Sequence, residues 1–581
     1  MGKLLLCSDL YRLNKVKENI IGFSESGKIS GAFGHIITFS KIRFQTENIV
    51  SNEKGFVAGT GTFLYKGKTG SEALRALLQD FDGNLSIRAN IVGSYCVIMG
   101  YAEKVYVFVD EASLYNIYYN LSPDRENIIL TNTYYHVAKG MDNVCIEEDH
   151  LLGTWFIKLI DNSTPIQNVK KLMGHECLVF NDGQWCAEEI PVTVVDDCLS
   201  VPQKAQQLYQ NLGHVFKSSG VFMTGGQDSR ISLALMLSVG MKPTLYYGIG
   251  NSSNTSTKTE DFNIVNAFSK KFDLPIQIMN WKDSDQSDEA NYINKYGEMF
   301  SLYGMNKNIF REFETEISSE FIALGYFGEV YRTIESIEAY AKPDFTLDEF
   351  LDDLYLGDCK RVFEEGGYQE FKAMIKDQFL DVCRRRELDA MHLTKDQFQI
   401  LNTVYRQRWD TVMNNFVNQY MYSIPLFGNL QLTRRTEAIS YDERLNSKHL
   451  MECIYALQPE LLEIPFFSHI KVKKYNPVTH ELTNKEYVSN IKDAVRGMIR
   501  SERMMKFARS VYYTLRGDKK GRQEIAEQYS QKETLQQEYS RTIDLKHVDA
   551  ELLFRFSDVR EINSVLLLYR MLNQLGAIEK E

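Results

Sequence analysis

The spacing of apolar and polar positions changes character along this chain. Up to about residue 200, apolar runs of strand length alternate with turn residues, as at 3–7, 34–39, 55–60 and 104–110, and predict a β-rich region. Residues 71–78 keep a helical period inside it. The stretch 192–197 leads to Pro202, after which the pattern predicts a helix over 204–217. From there short apolar runs at 221–223, 244–249, 275–278 and 321–324 alternate with helical patterns, as in a doubly wound parallel sheet. From 345 onward the chain reads as almost all helix. At 581 residues it is too long for one ordinary core, and a domain boundary is placed near 198, dividing it into 1–198 and 199–581.

Bulk chemistry narrows the function classes. A net charge of −11 argues against a general nucleic-acid surface. Nine cysteines without a CxxC pair suit reduced thiols in a cytoplasmic protein and argue against a zinc site. No apolar run reaches the roughly 18 residues of a membrane span, and the start reads as a first strand instead of a signal peptide. Residues 490–522 hold ten lysines and arginines. They read either as a solvated helix face or as a docking surface for an acidic partner, a second copy of the chain, or a ligand's phosphates.

The decapeptide 221–230, Val-Phe-Met-Thr-Gly-Gly-Gln-Asp-Ser-Arg, carries the most chemistry. An apolar strand runs into a small-residue turn and then into an apolar helix. That arrangement brings backbone N–H groups and a helix N-terminus to one point and makes an anion site. Gly225 and Gly226 allow close approach of phosphate oxygens. Thr224 and Ser229 add hydroxyls, Gln227 completes the turn, and Asp228 offers a carboxylate to Mg²⁺. The Gly-Lys-[Ser/Thr] ending of a Walker loop is missing. The turn resembles the Ser-Gly-Gly-x-Asp-Ser loop of the PP-loop ATP pyrophosphatases, which grip β- and γ-phosphates while a substrate attacks the α-phosphorus. The bland alternative is a strand-to-helix turn with no ligand.

Further motifs follow in one order: 244–250 with Gly248, Glu260-Asp261, Leu274-Pro275, 323–332 (Ala-Leu-Gly-Tyr-Phe-Gly-Glu-Val-Tyr-Arg), 424–429 and 444–453. This series resembles the synthetase domain of the asparagine synthetase family. Gly59-Thr60-Gly61, residues 93–97 and residues 110–119 resemble that family's Ntn-type glutaminase domain. The resemblance implies an Ntn-like α+β sandwich over 1–198, followed by a parallel-sheet, adenine nucleotide α-hydrolase-like domain with a helical C-terminal part. It implies ATP and Mg²⁺ as cofactors, with Gly248 and Gly325 joining residues 224–229 around the nucleotide. Asp228 and Glu329 would be metal ligands, Glu329 standing where the family usually has Asp. Lys448 would be the lysine that stabilises charge on the α-phosphate; its alternative is a surface helix lysine. The implied reaction adenylylates a small-molecule or peptide carboxylate and lets an amine attack it.

Two departures shape the expected activity. Glutamine-hydrolysing members carry Cys directly after Met, where a freed α-amine serves the thiol. Here Gly2 takes that position and Cys7 reads as core, so the N-terminal region is expected to lack glutaminase activity. Second, Tyr326 stands where asparagine synthetases have Glu, as in the β-lactam and carbapenam synthetases. It reads as an acid/base group poised by a glutamate (Glu312, Glu314, Glu316 and Glu364 are all open) or as aromatic packing over the loop. The alternatives to an intermolecular ligase are an intramolecular lactam or macrolactam cyclase, as among lasso-peptide cyclases, and a nucleotide-binding scaffold without catalysis.

Overall fold

The computed structural model describes residues 2–191, 197–249, 255–280, 289–301 and 307–484, apart from 334, 339, 341, 358, 365 and 469–470, together with 548, 567–568 and 570–576. The basic stretch 490–522 and most of 192–197 lie outside the described residues.

Two six-stranded antiparallel sheets build the first 190 residues. One contains β1 (Lys3–Cys7), β2 (Glu25–Gly31), β3 (Gly34–Phe39), β8 (Tyr118–Leu121), β9 (Ile128–Thr131) and β10 (Val169–Lys171), in the order β10-β8-β9-β1-β3-β2. The other contains β4 (Ile49–Asn52), β5 (Gly55–Leu64), β6 (Val92–Tyr101), β7 (Lys104–Val109), β11 (Glu176–Asn181) and β12 (Gln184–Glu189), in the order β12-β11-β7-β6-β5-β4. The strand period of two sends alternate residues to opposite faces. Leu4, Leu6 and Ile36 therefore meet Ala58, Ile98 and Val107 between the sheets. Leu5 and Ile37 turn instead to the helices α1 (Leu10–Lys17) and α3 (Tyr134–Gly140). On the far face of the second sheet Val57 and Val97 pack on α2 (Gly70–Asp80). The result is helix, sheet, sheet, helix.

A five-stranded parallel sheet follows, ordered β15-β14-β13-β16-β19. Its members are β13 (Ser219–Phe222), β14 (Thr244–Ile249), β15 (Ile276–Asn280), β16 (Phe321–Ala323) and β19 (Tyr422–Ile424). The apolar runs foretell four of these strands. The helix expected over 204–217 is instead two, α5 (Val201–Tyr209) and α6 (Leu212–Val215), separated at Gln210-Asn211. The region after 345 is not all helix. It contributes β19, the two-residue pair β17 (Asp344–Phe345) and β18 (Leu393–Thr394), and an antiparallel sheet of β20 (Phe466–Ser468), β21 (Lys471–Tyr475) and β22 (Leu482–Asn484). Strands of two or three residues are too short to show a period of two.

The helix Thr411–Tyr420 joins the two sheet systems through fully buried amides. Asn415 Oδ1 accepts from the Asn116 N–H at 2.7 Å. Asn414 donates to Ser94 Oγ at 2.8 Å, and Asn418 Oδ1 accepts from Thr62 Oγ1 at 2.6 Å. Lys41 donates to the carbonyls of Asn418 and Met421 at 2.6 and 2.9 Å, and burial drives its amine well below the usual lysine range. Most of these buried polar groups find partners, as burial requires, although Asn414 Oδ1 and Gln419 Oε1 have none among the described residues.

Candidate functional site

β13 lies between β14 and β16, so the chain leaves its C-terminal end at the point where strand order reverses. Open α/β sheets bind ligands at such switch points. Val221 pairs with Ala323, so the turn after β13 and the turn after β16 emerge side by side. Two glycines bring them into contact. A Cβ on Gly325 would lie 2.7 Å from Ser229 Cα, and one on Gly328 would overlap the Asp228 carboxylate. Phe327 between them is buried in the left-handed region at φ 73°, a conformation bulky residues seldom adopt. It reverses the chain so that the short 3-10 turn Gly328–Tyr331 begins beside Asp228.

The first turn then opens into helix α7 (Asp228–Ser238). Its hydroxyls satisfy one another: Thr224 Oγ1 and Ser229 Oγ are 3.1 Å apart, and the Gly226 N–H reaches Thr224 Oγ1 at 3.2 Å. The Gly225 N–H donates to Asp261 at 2.5 Å, from helix α8 (Thr255–Phe272). Among the described residues the N–H groups of Gln227 and Asp228 have no acceptor, and buried Gln227 Oε1 has no donor. Arg230 anchors the turn from below. Fully buried, it donates to the carbonyls of Leu461, Ile464 and Pro465 at 3.1, 2.6 and 2.6 Å, and its guanidinium lies 3.4 Å from the Phe466 ring centroid. The Phe467 N–H donates to Gly225 O at 2.8 Å, tying β20 to the turn.

Three acids and two guanidiniums meet above α7. Arg332 approaches Asp228 at 3.4 Å and Glu329 at 4.0 Å. Arg406 approaches Glu329 at 3.7 Å and Asp410 at 3.3 Å. Burial, followed by the charge of Glu329, lifts the Asp228 carboxyl to about 6 against the pull of Arg332. Burial also lifts Asp410 to about 7 despite Arg406. Tyr326 is half-buried beside this cluster, and burial, then Asp410 and Glu329, push its hydroxyl up. Asp410 and Glu329 are thus the acids whose charge reaches Tyr326. Glu312 and Glu314 are engaged elsewhere, with the Asn280 N–H and with Lys295, Tyr296 and Tyr420.

The expected site residues divide into two groups. Thr224, Gly225, Gly226, Gln227, Asp228, Ser229, Gly325, Tyr326 and Glu329 converge on one point. Gly248 lies one strand away in β14, opposite Met279. Lys448 opens the helix Lys448–Leu457, which packs on α7. Two consecutive left-handed residues, Asn446 and Ser447, launch that helix. Lys448 is half-buried and makes no hydrogen bond or ion pair among the described residues. Its neighbour His449 is pushed down to about 4 by burial and by Arg444. Sequence reasoning missed Asp261, Arg332, Arg406, Asp410 and Arg230. Asp261 and Arg332 stood inside the quoted motifs, but no spacing rule marks Arg406 or Asp410.

The donors suit a divalent ion that also takes phosphate oxygens. Asp228 and Glu329 are hard carboxylates whose mutual repulsion Arg332 relieves only at long range. Among the described residues no three His, Cys, Asp or Glu side chains form a metal cage by themselves.

At the start of β1 the structure closes position 2 to a side chain. The buried Gly2 N–H donates to Phe39 O at 2.9 Å, and a Cβ on Gly2 would overlap Ser40 O. Cys7 is fully buried in β1, and burial pushes its thiol up.

No protein-family model and no curated protein matches the chain. Among solved structures it is similar to the glutamine phosphoribosylpyrophosphate amidotransferase of B. subtilis, solved with ADP and GMP. The match is 9% identical with a TM-score of 0.22, and it covers 48% of this chain and 65% of that one. A likeness that weak bears on neither the fold nor the chemistry. The architecture stated here is that of the chain itself: mixed α/β with several sheets, one of them parallel. Among the described residues no helix is long and apolar enough to cross a membrane.

Proposed function

We propose that the chain is an ATP-dependent, amide-forming ligase of the asparagine synthetase type, working without a glutaminase of its own. The observation that carries this reading is the convergence at the β13/β16 switch point. N–H groups of Gln227 and Asp228 that are unpaired among the described residues stand there beside two acids, Asp228 and Glu329, where Gly325 and Gly328 let the two turns touch. In this reading residues 224–229 hold the polyphosphate of ATP, and Asp228 and Glu329 hold Mg²⁺. Bound there, Mg²⁺ neutralises phosphate charge. A substrate carboxylate oxygen attacks the α-phosphorus, pyrophosphate leaves, and an amine displaces AMP. Lys448 moves toward the α-phosphate on binding and stabilises its charge. The division near residue 198 belongs to the same reading, with the first unit a packed support.

The test is carboxylate-dependent ATP–pyrophosphate exchange, with Mg²⁺-dependent ATP binding by calorimetry. Release of ADP in place of AMP, or no nucleotide uptake, overturns the reading. ATP binding without AMP across many carboxylates would assign a scaffold role instead.

A second reading, an intramolecular cyclase, is favoured by the place of Tyr326 on the turn after β16, within electrostatic reach of Asp410 and Glu329. A tyrosine beside a carboxyl poised near neutrality can relay the proton of an attacking amine. Tyr326→Phe is then expected to block amide formation while exchange survives. Equal loss of both activities removes this version.

A further inference from the structure

Arg332 occupies an unusual place for a residue next to carboxylates that are read as metal ligands. Its Nη2 is 3.4 Å from Asp228 Oδ2 and 4.0 Å from Glu329 Oε1, its Nε is 3.4 Å from Asp228 Oδ1, and its Nη1 donates to Thr333 O at 3.4 Å. The side chain is one-fifth exposed, so it is held by protein yet has room to leave. Every contact is longer than the roughly 2.7–2.9 Å of a tight charge-assisted bond. Arg406 reaches Glu329 at 3.7 Å and both oxygens of Asp410 at 3.3 Å, so it is shared with a third acid. Of the two guanidiniums, Arg332 is the one that bridges the acid pair.

A guanidinium keeps its charge at every accessible pH. It neutralises two acids that both lie within 4.0 Å of its Nη2, a pair whose charges repel in a part-buried site. A divalent ion between the same acids would face this cation at close range, so the two are alternatives.

We propose that Arg332 is an internal counter-cation. It neutralises Asp228 and Glu329 while the nucleotide site is empty, and it is displaced when a divalent ion arrives with the nucleotide. This rests on the ligase reading and adds regulation to it. Metal alone binds weakly because it must expel Arg332 unaided. Metal with nucleotide binds well because phosphate oxygens complete its shell and offer the expelled guanidinium a new anion. The coupling is reciprocal, so nucleotide and metal each raise the other's affinity.

Mn²⁺ titration followed by electron paramagnetic resonance, with and without ATP, tests this on the full chain. Arg332→Gln is expected to raise Mn²⁺ affinity without ATP by at least about tenfold and to reduce the effect of ATP on that affinity. Arg332→Lys keeps a cation and is expected to stay near wild type. Thermal unfolding gives a second readout: Mn²⁺ alone should stabilise Arg332→Gln more than wild type. If Arg332→Gln does not fold, Arg332→Met is titrated in its place. Unchanged ATP-free affinity in the folded neutral variant, with wild type binding Mn²⁺ plus ATP normally, overturns the counter-cation and leaves the ligase reading standing. If wild type binds no Mn²⁺ even with ATP, both fall.

Discussion

The start of β1, where the sequence predicts that glutaminase chemistry is lost, and the end of β13, where it predicts nucleotide chemistry, are built in opposite ways. Around β1 most polar groups are matched, Thr131 Oγ1 beside Leu5 being an exception among the described residues. The Gly2 N–H has Phe39 O, the Leu4 N–H has Asn132 Oδ1 at 2.8 Å, and Tyr115 links Thr60 to Asn132 at 2.9 Å on each side. No side chain fits at position 2. At the end of β13 the matching is incomplete. N–H groups are free, acids stand 3.3–4.0 Å from guanidiniums, and Phe327 is held in a strained conformation. Packing alone favours the first arrangement. The second persists where surrounding structure over-determines it, which is a common property of working sites.

The largest expected effect is at Asp228. Asp228→Asn should lower exchange by at least about a hundredfold, several kcal/mol of lost metal and charge stabilisation; full exchange would end the contrast between the two regions. Next comes Asp110, in the sandwich. Burial raises its carboxyl from 3.8 to about 7, against hydrogen bonds from the N–H groups of Leu114, Tyr115 and Tyr95. The folded value lies above the unfolded one, so folding takes up a proton. That stability is complete below 3.8 and is lost as pH rises to about 7. The slope reaches on the order of 1.4 kcal/mol per pH unit. Urea unfolding across this window should show it, and Asp110→Asn should flatten it.

A smaller effect is expected at Gly2. Gly2→Cys should cost about 1–3 kcal/mol through overpacking against Ser40 and yield no glutamine hydrolysis, read by thermal unfolding and ammonia release. Gained hydrolysis with unchanged stability would show that the position is open. The smallest effect on folding is expected at Lys448. Lys448→Met should shift stability by no more than about 0.5 kcal/mol, since the amine has no partner among the described residues, while exchange falls. A large unfolding shift with intact exchange would make it a structural lysine.

The sequence by itself determined much of the local architecture. Apolar runs bounded by turn residues marked β3, β5, β7 and β14, and Gly225-Gly226 between an apolar strand and an apolar helix marked the loop. These signals are local because side-chain period and backbone freedom act over a few residues. Tertiary structure decided the rest. It split 204–217 into two helices, drew Tyr422–Ile424 in as a fifth parallel strand, and set Asp410 and Arg406 beside Glu329. It also drew Glu312 and Glu314, two of the open candidates for Tyr326, into contacts elsewhere. Residues some 80 positions apart in sequence meet because the 3-10 turn Gly328–Tyr331 and the helix Lys395–Trp409 pack together, and no periodicity records a contact between side chains that share only a destination.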